Sequence, residues 1–96
     1  MKRQNSVTIR EALDLWIDTM KLRGKLNENR LIASWGKIVG SYMESKTRNI
    51  FISDRKLVVQ IESSVVRNEL LNAKALLLKS LNAEAGCDVI DDIIFR

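Results

Sequence analysis

Ninety-six residues, 46% of them hydrophobic and 29% charged, are enough for one globular domain with a single core and too few for two. The chain has no histidine and one cysteine, Cys87, which removes the commonest general base and metal ligand at neutral pH, an internal disulfide and a zinc cluster of cysteines. The composition therefore points away from an enzyme, a metal or a cofactor, and the formal net charge of +4 suits a polyanionic partner without requiring one. The basic start of the chain runs into a charged helical pattern, not an apolar signal-type run, and no stretch approaches the ~18–20 apolar residues of a bilayer crossing. A soluble cytoplasmic protein is expected, compatible with association with the nucleoid, and a lone thiol fits a reducing compartment.

Residues 1–7 are polar and read as a flexible terminus, and residues 8–96 as one folded domain. Thr8-Ile9-Arg10-Glu11 has capping-box spacing, so a first helix begins near Thr8. Its apolar positions Ile9, Ala12, Leu13, Trp16, Ile17 and Met20 form a stripe, with Asp14, Asp18 and Lys21 turned outward. The spacing predicts an end between Leu22 and Gly24, where glycine can take the left-handed conformation. The connector that follows carries Lys21, Arg23 and Lys25, as charges that complement a helix dipole or as an anion site.

Asn27 or Asn29 can cap a second helix running to about Tyr42 or Glu44. Leu31, Ile32, Trp35, Ile38, Val39 and Tyr42 fall on one side of it, with Trp35 as the core anchor. Gly36 and Gly40 weaken that helix by roughly 1 kcal/mol each, and close approach of another backbone would account for them. After Ser45 the period changes from helix to strand. Thr47–Ile52 and Lys56–Glu62, joined by Ser53-Asp54-Arg55, predict a hairpin with Leu57, Val59 and Ile61 on its apolar face. Ser63 and Ser64 can cap a third helix with Val66, Leu70, Ala73, Leu77 and Leu81 on one stripe and Leu71, Leu76 and Leu78 widening it. An exit loop from Asn82 to Gly86 and a third strand from Asp88 to Arg96 complete the order α-α-β-β-α-β. The predicted fold is α/β of the α+β kind, a small three-stranded sheet with helices packed mainly on one face.

Little in this chain carries reaction chemistry. Asp14 and Asp18 lie on the exposed side of the first helix, and Asp91 and Asp92, adjacent in a strand, point to opposite faces. Neither a Walker loop nor a nucleophile elbow is present. Cations are the stronger signal. Lys21, Arg23 and Lys25 in the connector, Arg30 and Lys37 on the second helix, Lys46 and Arg48 entering the hairpin, and Arg55 and Lys56 at its turn hold nine of the sixteen basic residues. They are candidate contacts to nucleic-acid phosphates, which would give salt-dependent binding without base readout. Trp16, Trp35 and Phe51 are assigned to the core, which leaves no stacking platform.

Trp35 with Ile38-Val39-Gly40, Thr47 before a strand, Leu57-Val58-Val59, Ser63-Ser64 with Arg67-Asn68-Glu69-Leu70, Leu81-Asn82, Gly86 and the closing Ile93-Ile94-Phe95-Arg96 together resemble the DciA-like family. This is a bacterial group formerly described as a domain of unknown function. The likeness covers nearly the whole chain and is similar to the compact form found in Bacteroidetes-type bacteria. It implies a KH-like domain that binds the replicative, DnaB-type helicase, assists its loading onto DNA and has affinity for DNA itself, with no small-molecule substrate and no membrane. Longer members carry a C-terminal extension that engages helicase and DNA, and several have an aromatic where this chain has Val66. The short glycine-x-x-glycine loop by which KH domains clamp a nucleic-acid backbone is missing, since Gly36 and Gly40 stand four apart. Two further readings remain open at this level: an RNA- or ribosome-associated module, and a pure protein adaptor.

Overall fold

In the computed structural model, which describes residues 8–96, the chain opens as one 25-residue helix, α1 (Ile9–Ala33). The terminus expected to be flexible lies outside the described residues. Thr8 caps α1, its hydroxyl accepting from the Glu11 amide at 3.1 Å, as the capping-box spacing predicts. The predicted break at Leu22–Gly24 does not occur. Positive φ among the glycines is confined to Gly40 and Gly86, so Gly24 stays helical, and its neighbours Leu22, Arg23, Lys25 and Leu26 are good helix formers that outweigh one glycine.

The break falls at Ser34 instead, where the buried hydroxyl donates to the Leu31 carbonyl at 2.7 Å. Two short helices follow, α2 (Trp35–Val39) and α3 (Ser41–Ser45), separated by Gly40 at φ 93° and ψ 160°. That conformation is open almost only to glycine, so Gly40 is a corner between helices where continuity was expected. The expected close approach of another backbone is found at neither glycine: open space surrounds Gly40, and the neighbour nearest Gly36 is the exposed Glu44 carboxylate, which can move aside.

The hairpin matches its prediction. β1 (Thr47–Ser53) and β2 (Lys56–Ile61) pair antiparallel, with Ser53 opposite Lys56, Ile52 opposite Leu57 and Phe51 opposite Val58. Asp54 and Arg55 both have positive φ, at 52° and 60°, the geometry of a tight two-residue turn whose twist suits the strands. Ser63 caps α4 (Ser64–Asn72), its hydroxyl accepting from the Val66 amide at 3.3 Å. The chain bends at Ala73 into α5 (Lys74–Ala85), so the third predicted helix forms as two. Gly86 ends it in the left-handed conformation. Asn82, expected in the exit loop, is still helical, and its side chain holds that loop by accepting from the Val89 and Ile90 amides and donating to the Ile90 carbonyl. The last strand is shorter than expected, β3 (Asp92–Phe95), and lies parallel to β2 in a sheet of order β1-β2-β3. The order α-α-β-β-α-β holds, with the second and third helical segments each divided in two.

Helices cover one face of the sheet. Leu57, Val59 and Ile61 of β2 and Ile93 of β3 pack with Leu31, Trp35, Val66, Leu70, Leu77, Leu81, Ala85 and Ile90. Trp35 is 2% exposed and sits against Phe95, with ring centroids 6.4 Å apart. Its indole N–H donates to the Thr47 hydroxyl at 3.0 Å, and that hydroxyl donates to the Met43 carbonyl at 3.1 Å. The expectation that Trp16 and Phe51 share this core is overturned: Trp16 is 60% and Phe51 37% exposed. Leu71 on α4 and Leu76 on α5 are also exposed, because each of these helices buries one side only.

Candidate nucleic-acid interface

The position of α1 decides how the charged residues are distributed. Only its C-terminal turns reach the core, through the fully buried Leu31, while residues 8–26 are exposed at every position. A 25-residue helix is about 37 Å long at 1.5 Å per residue. Its free half accounts for a molecule extending 67 Å along one axis and 20–21 Å along the others. Lys21, Arg23 and Lys25 ride on that projecting half, and Arg30 sits at its base beside Gly86. Among the described residues none of these four has an acidic partner within 4.0 Å.

The remaining candidates are engaged within the body. Lys37 bonds Glu84 at 2.8 Å. Lys46 and Arg48 flank Glu62 at the hairpin base, at 4.0 and 3.7 Å, and Lys56 lies 3.9 Å from Asp54. Arg55 is held most firmly. It donates to both carboxylate oxygens of Asp91, at 3.0 and 2.9 Å, and to the Asp88 carbonyl at 3.0 Å. That hydrogen-bonded guanidinium keeps the Asp91 carboxyl below the usual carboxylate range, and the same contact raises Arg55. Asp92 is lowered likewise, first by its hydrogen bond from Lys74 at 2.8 Å and then by the Ile93 amide. The base and tip of a seven-residue strand are roughly 20 Å apart at ~3.3 Å per residue. The nine cations thus fall into an unpaired group of four on α1, two paired couples at the two ends of the hairpin, and Lys37 on α2 tied to α5 through Glu84.

The sheet face turned away from the helices carries Phe51, which was expected in the core. Phe51 pairs with Val58 and Val58 with Ile94, which sets an apolar row across all three strands. The next row begins with Asn49 opposite Gln60. Arg96 extends it, because its amide bonds the Val59 carbonyl at 2.9 Å and its carbonyl accepts from the Ile61 amide at 2.7 Å. Asn49, Phe51, Gln60 and Arg96 line an open depression of about 340 Å³. The Arg96 guanidinium stands 6.0 Å from the centroid of the Phe51 ring. Among the described residues no helix packs on this face, and Phe51 and Ile94 stay exposed there.

Cys87 is exposed, with its sulfur accepting from the Asn27 side chain at 3.3 Å. Among the described residues there is no cluster of three potential metal ligands and no helix long and apolar enough to cross a membrane.

A family model described as "Dna[CI] antecedent, DciA" matches residues 8–95. The chain belongs to the DciA family. Every described residue but the last lies within that match, from the Thr8 cap to the end of β3. DciA membership is consistent with a role in loading a DnaB-type helicase, and the family is one of replication accessory proteins, not catalysts. No curated protein and no solved structure matches the chain.

Proposed function

We propose that this DciA-family protein is a non-enzymatic accessory factor of DNA replication that grips DNA through phosphates and docks on a DnaB-type replicative helicase to assist its loading. The observation that carries the reading is the projecting half of α1. Ile9, Leu13, Trp16, Ile17 and Met20 share one side of it and all are large, apolar and exposed. Contiguous apolar surface of this kind marks an interaction site more often than it stands idle. An amphipathic helix that leaves its own core can lay such a stripe into a groove of a partner, anchored at i, i+3, i+4 and i+7 spacing. In a chain of this family the partner that fits is the helicase. Lys21, Arg23 and Lys25, on the same projecting segment and unpaired, are free to meet phosphates, while Lys46 and Arg48 offer a second, loosely paired group.

Two binding measurements test the two contacts separately. Calorimetric titration against the purified helicase of the same host should show a complex that Trp16→Glu with Ile17→Glu weakens at least tenfold without lowering Tm. An unchanged affinity would remove α1 as the docking element. Anisotropy with DNA and with RNA of matched sequence should show salt-dependent binding to DNA. A clear preference for RNA would favour the RNA- or ribosome-associated reading, because discrimination through the 2′-hydroxyl or A-form shape is what an RNA-specific protein requires.

A further inference from the structure

The open face of the sheet presents side chains that the packing of the domain does not use. Phe51 does not contribute to the helix-covered core, and a phenylalanine left outward on a strand costs burial that Ile50 and Ile52, facing in, do obtain. Around its ring stand two amides: Gln60, which can donate and accept at the edge of a heterocycle, and Asn49, whose oxygen accepts from the Ile50 amide at 3.0 Å and whose NH2 is left to donate. Arg96 faces the ring across 6.0 Å. That gap is too wide for direct stacking, which brings flat groups to ~3.5–4.0 Å. It falls about 1 Å short of the ~7 Å that a second flat ring would need between them, a distance that an arginine rotamer change supplies. Beyond Gln60 the strands end in Lys46, Arg48 and Glu62, where two cations share one carboxylate at 4.0 and 3.7 Å. Pairs so long and exposed exchange readily for a phosphate oxygen.

We propose that this face is a binding site for single-stranded DNA, with one base stacked on Phe51 beneath Arg96, its edge met by Asn49 and Gln60, and the adjoining phosphate held by Lys46 and Arg48. Bases that are unpaired can be splayed onto aromatic rings and guanidinium planes, whereas a duplex keeps its bases stacked on one another. The proposal rests on the DNA-binding reading above and adds to it a strand preference and a location. It gives the two groups of cations different roles. Those on α1 meet phosphates of any DNA, and those at the hairpin base serve a strand already opened.

Anisotropy of the full chain at one salt concentration decides it, with three labelled ligands about 12 nucleotides long, inside the ~4–16 that one compact single-strand site covers: oligothymidylate, an abasic strand of equal phosphate count, and a duplex. Oligothymidylate should bind about 5- to 150-fold more tightly than the abasic strand, the span expected for stacking one base. Phe51→Leu, which keeps an apolar side chain on the face, should remove that difference and leave abasic and duplex affinities unchanged, and Phe51→Tyr should restore it. Equal affinity of wild-type protein for the base-bearing and abasic strands would overturn the site whether or not any variant folds, and so would unchanged oligothymidylate binding by Phe51→Leu. If duplex and abasic strands bind equally well with no gain from bases, only this site falls. Failure to bind any of the three removes the DNA-binding reading as well.

Discussion

Trp35 fills the junction of α2 with the sheet and is tied by its indole N–H to Thr47, so truncation removes both packing and a hydrogen bond. Trp35→Ala should cost about 3–5 kcal/mol, much of the ~5–15 kcal/mol by which a domain of this size is stable, and urea unfolding would register it as a lowered midpoint. The glycines divide by conformation. Gly40, at φ 93° and ψ 160°, holds the corner between α2 and α3, and Gly40→Ala should destabilise by ~1–3 kcal/mol even though open space surrounds the position. Gly24 is helical and equally uncrowded, so Gly24→Ala should gain roughly 0.5–1 kcal/mol of helix stability. Because that part of α1 does not touch the core, the gain belongs in slower amide exchange around residue 24, with the global midpoint hardly moved.

As an element, α1 is two helices in energetic terms. Amides of residues 12–26 should exchange far faster than those of residues 29–33, which Leu31 pins to the core, and equal protection along α1 would mean that the projecting half is packed in solution. The strand β3 is pinned at its start by Asp91 to Arg55 and Asp92 to Lys74. Both carboxyls lie below their ordinary range when folded. Their contribution to stability is therefore present above the unfolded value near 3.9 and disappears as pH falls through the lower folded values. Thermal unfolding followed from pH 6 to pH 2 should show a fall in Tm for wild-type protein that is shallower in Asp91→Asn. What was legible in the sequence followed from local chemistry: the Thr8 and Ser63 caps, a turn within Ser53-Asp54-Arg55 and the alternation of Leu57, Val59 and Ile61 each rest on neighbours within a few residues. The helix boundaries did not, because the bend at Ser34 and the corner at Gly40 are set by how Trp35 must meet the sheet. Helical spacing also cannot tell an apolar stripe on a core from one that extends past it, which is why Trp16 read as buried. Phe51 was within reach: a two-residue turn fixes Ser53 opposite Lys56, hence Phe51 opposite Val58 and out of phase with Leu57.

For the whole molecule, the placement of charge says which cations a ligand can recruit at little cost to the fold. A net charge of +4 draws polyanions from any direction, but a cation already bonded to a carboxylate must give up that bond before it meets a phosphate. Arg55 is bonded to both oxygens of Asp91 and to a backbone carbonyl, and reversal to glutamate would set three acidic groups, Asp88, Asp91 and the new one, around the start of β3. Arg55→Glu should therefore lower Tm and change DNA affinity little. Arg23 and Lys25 have no such partner among the described residues and stand on a helix whose exposed half asks nothing of them, so Arg23→Glu with Lys25→Glu should leave Tm in place. Affinity for duplex DNA should fall severalfold, and the slope of log K against log salt should flatten by about 1.8, the change expected when two phosphate contacts at ~0.9 each are lost. The slope matters more than the affinity, since it counts contacts and is indifferent to the net-charge change that any reversal brings. A loss of affinity on Arg55→Glu with an unaltered slope in the α1 variant would place duplex DNA at the hairpin tip and leave the projecting helix to the protein partner alone.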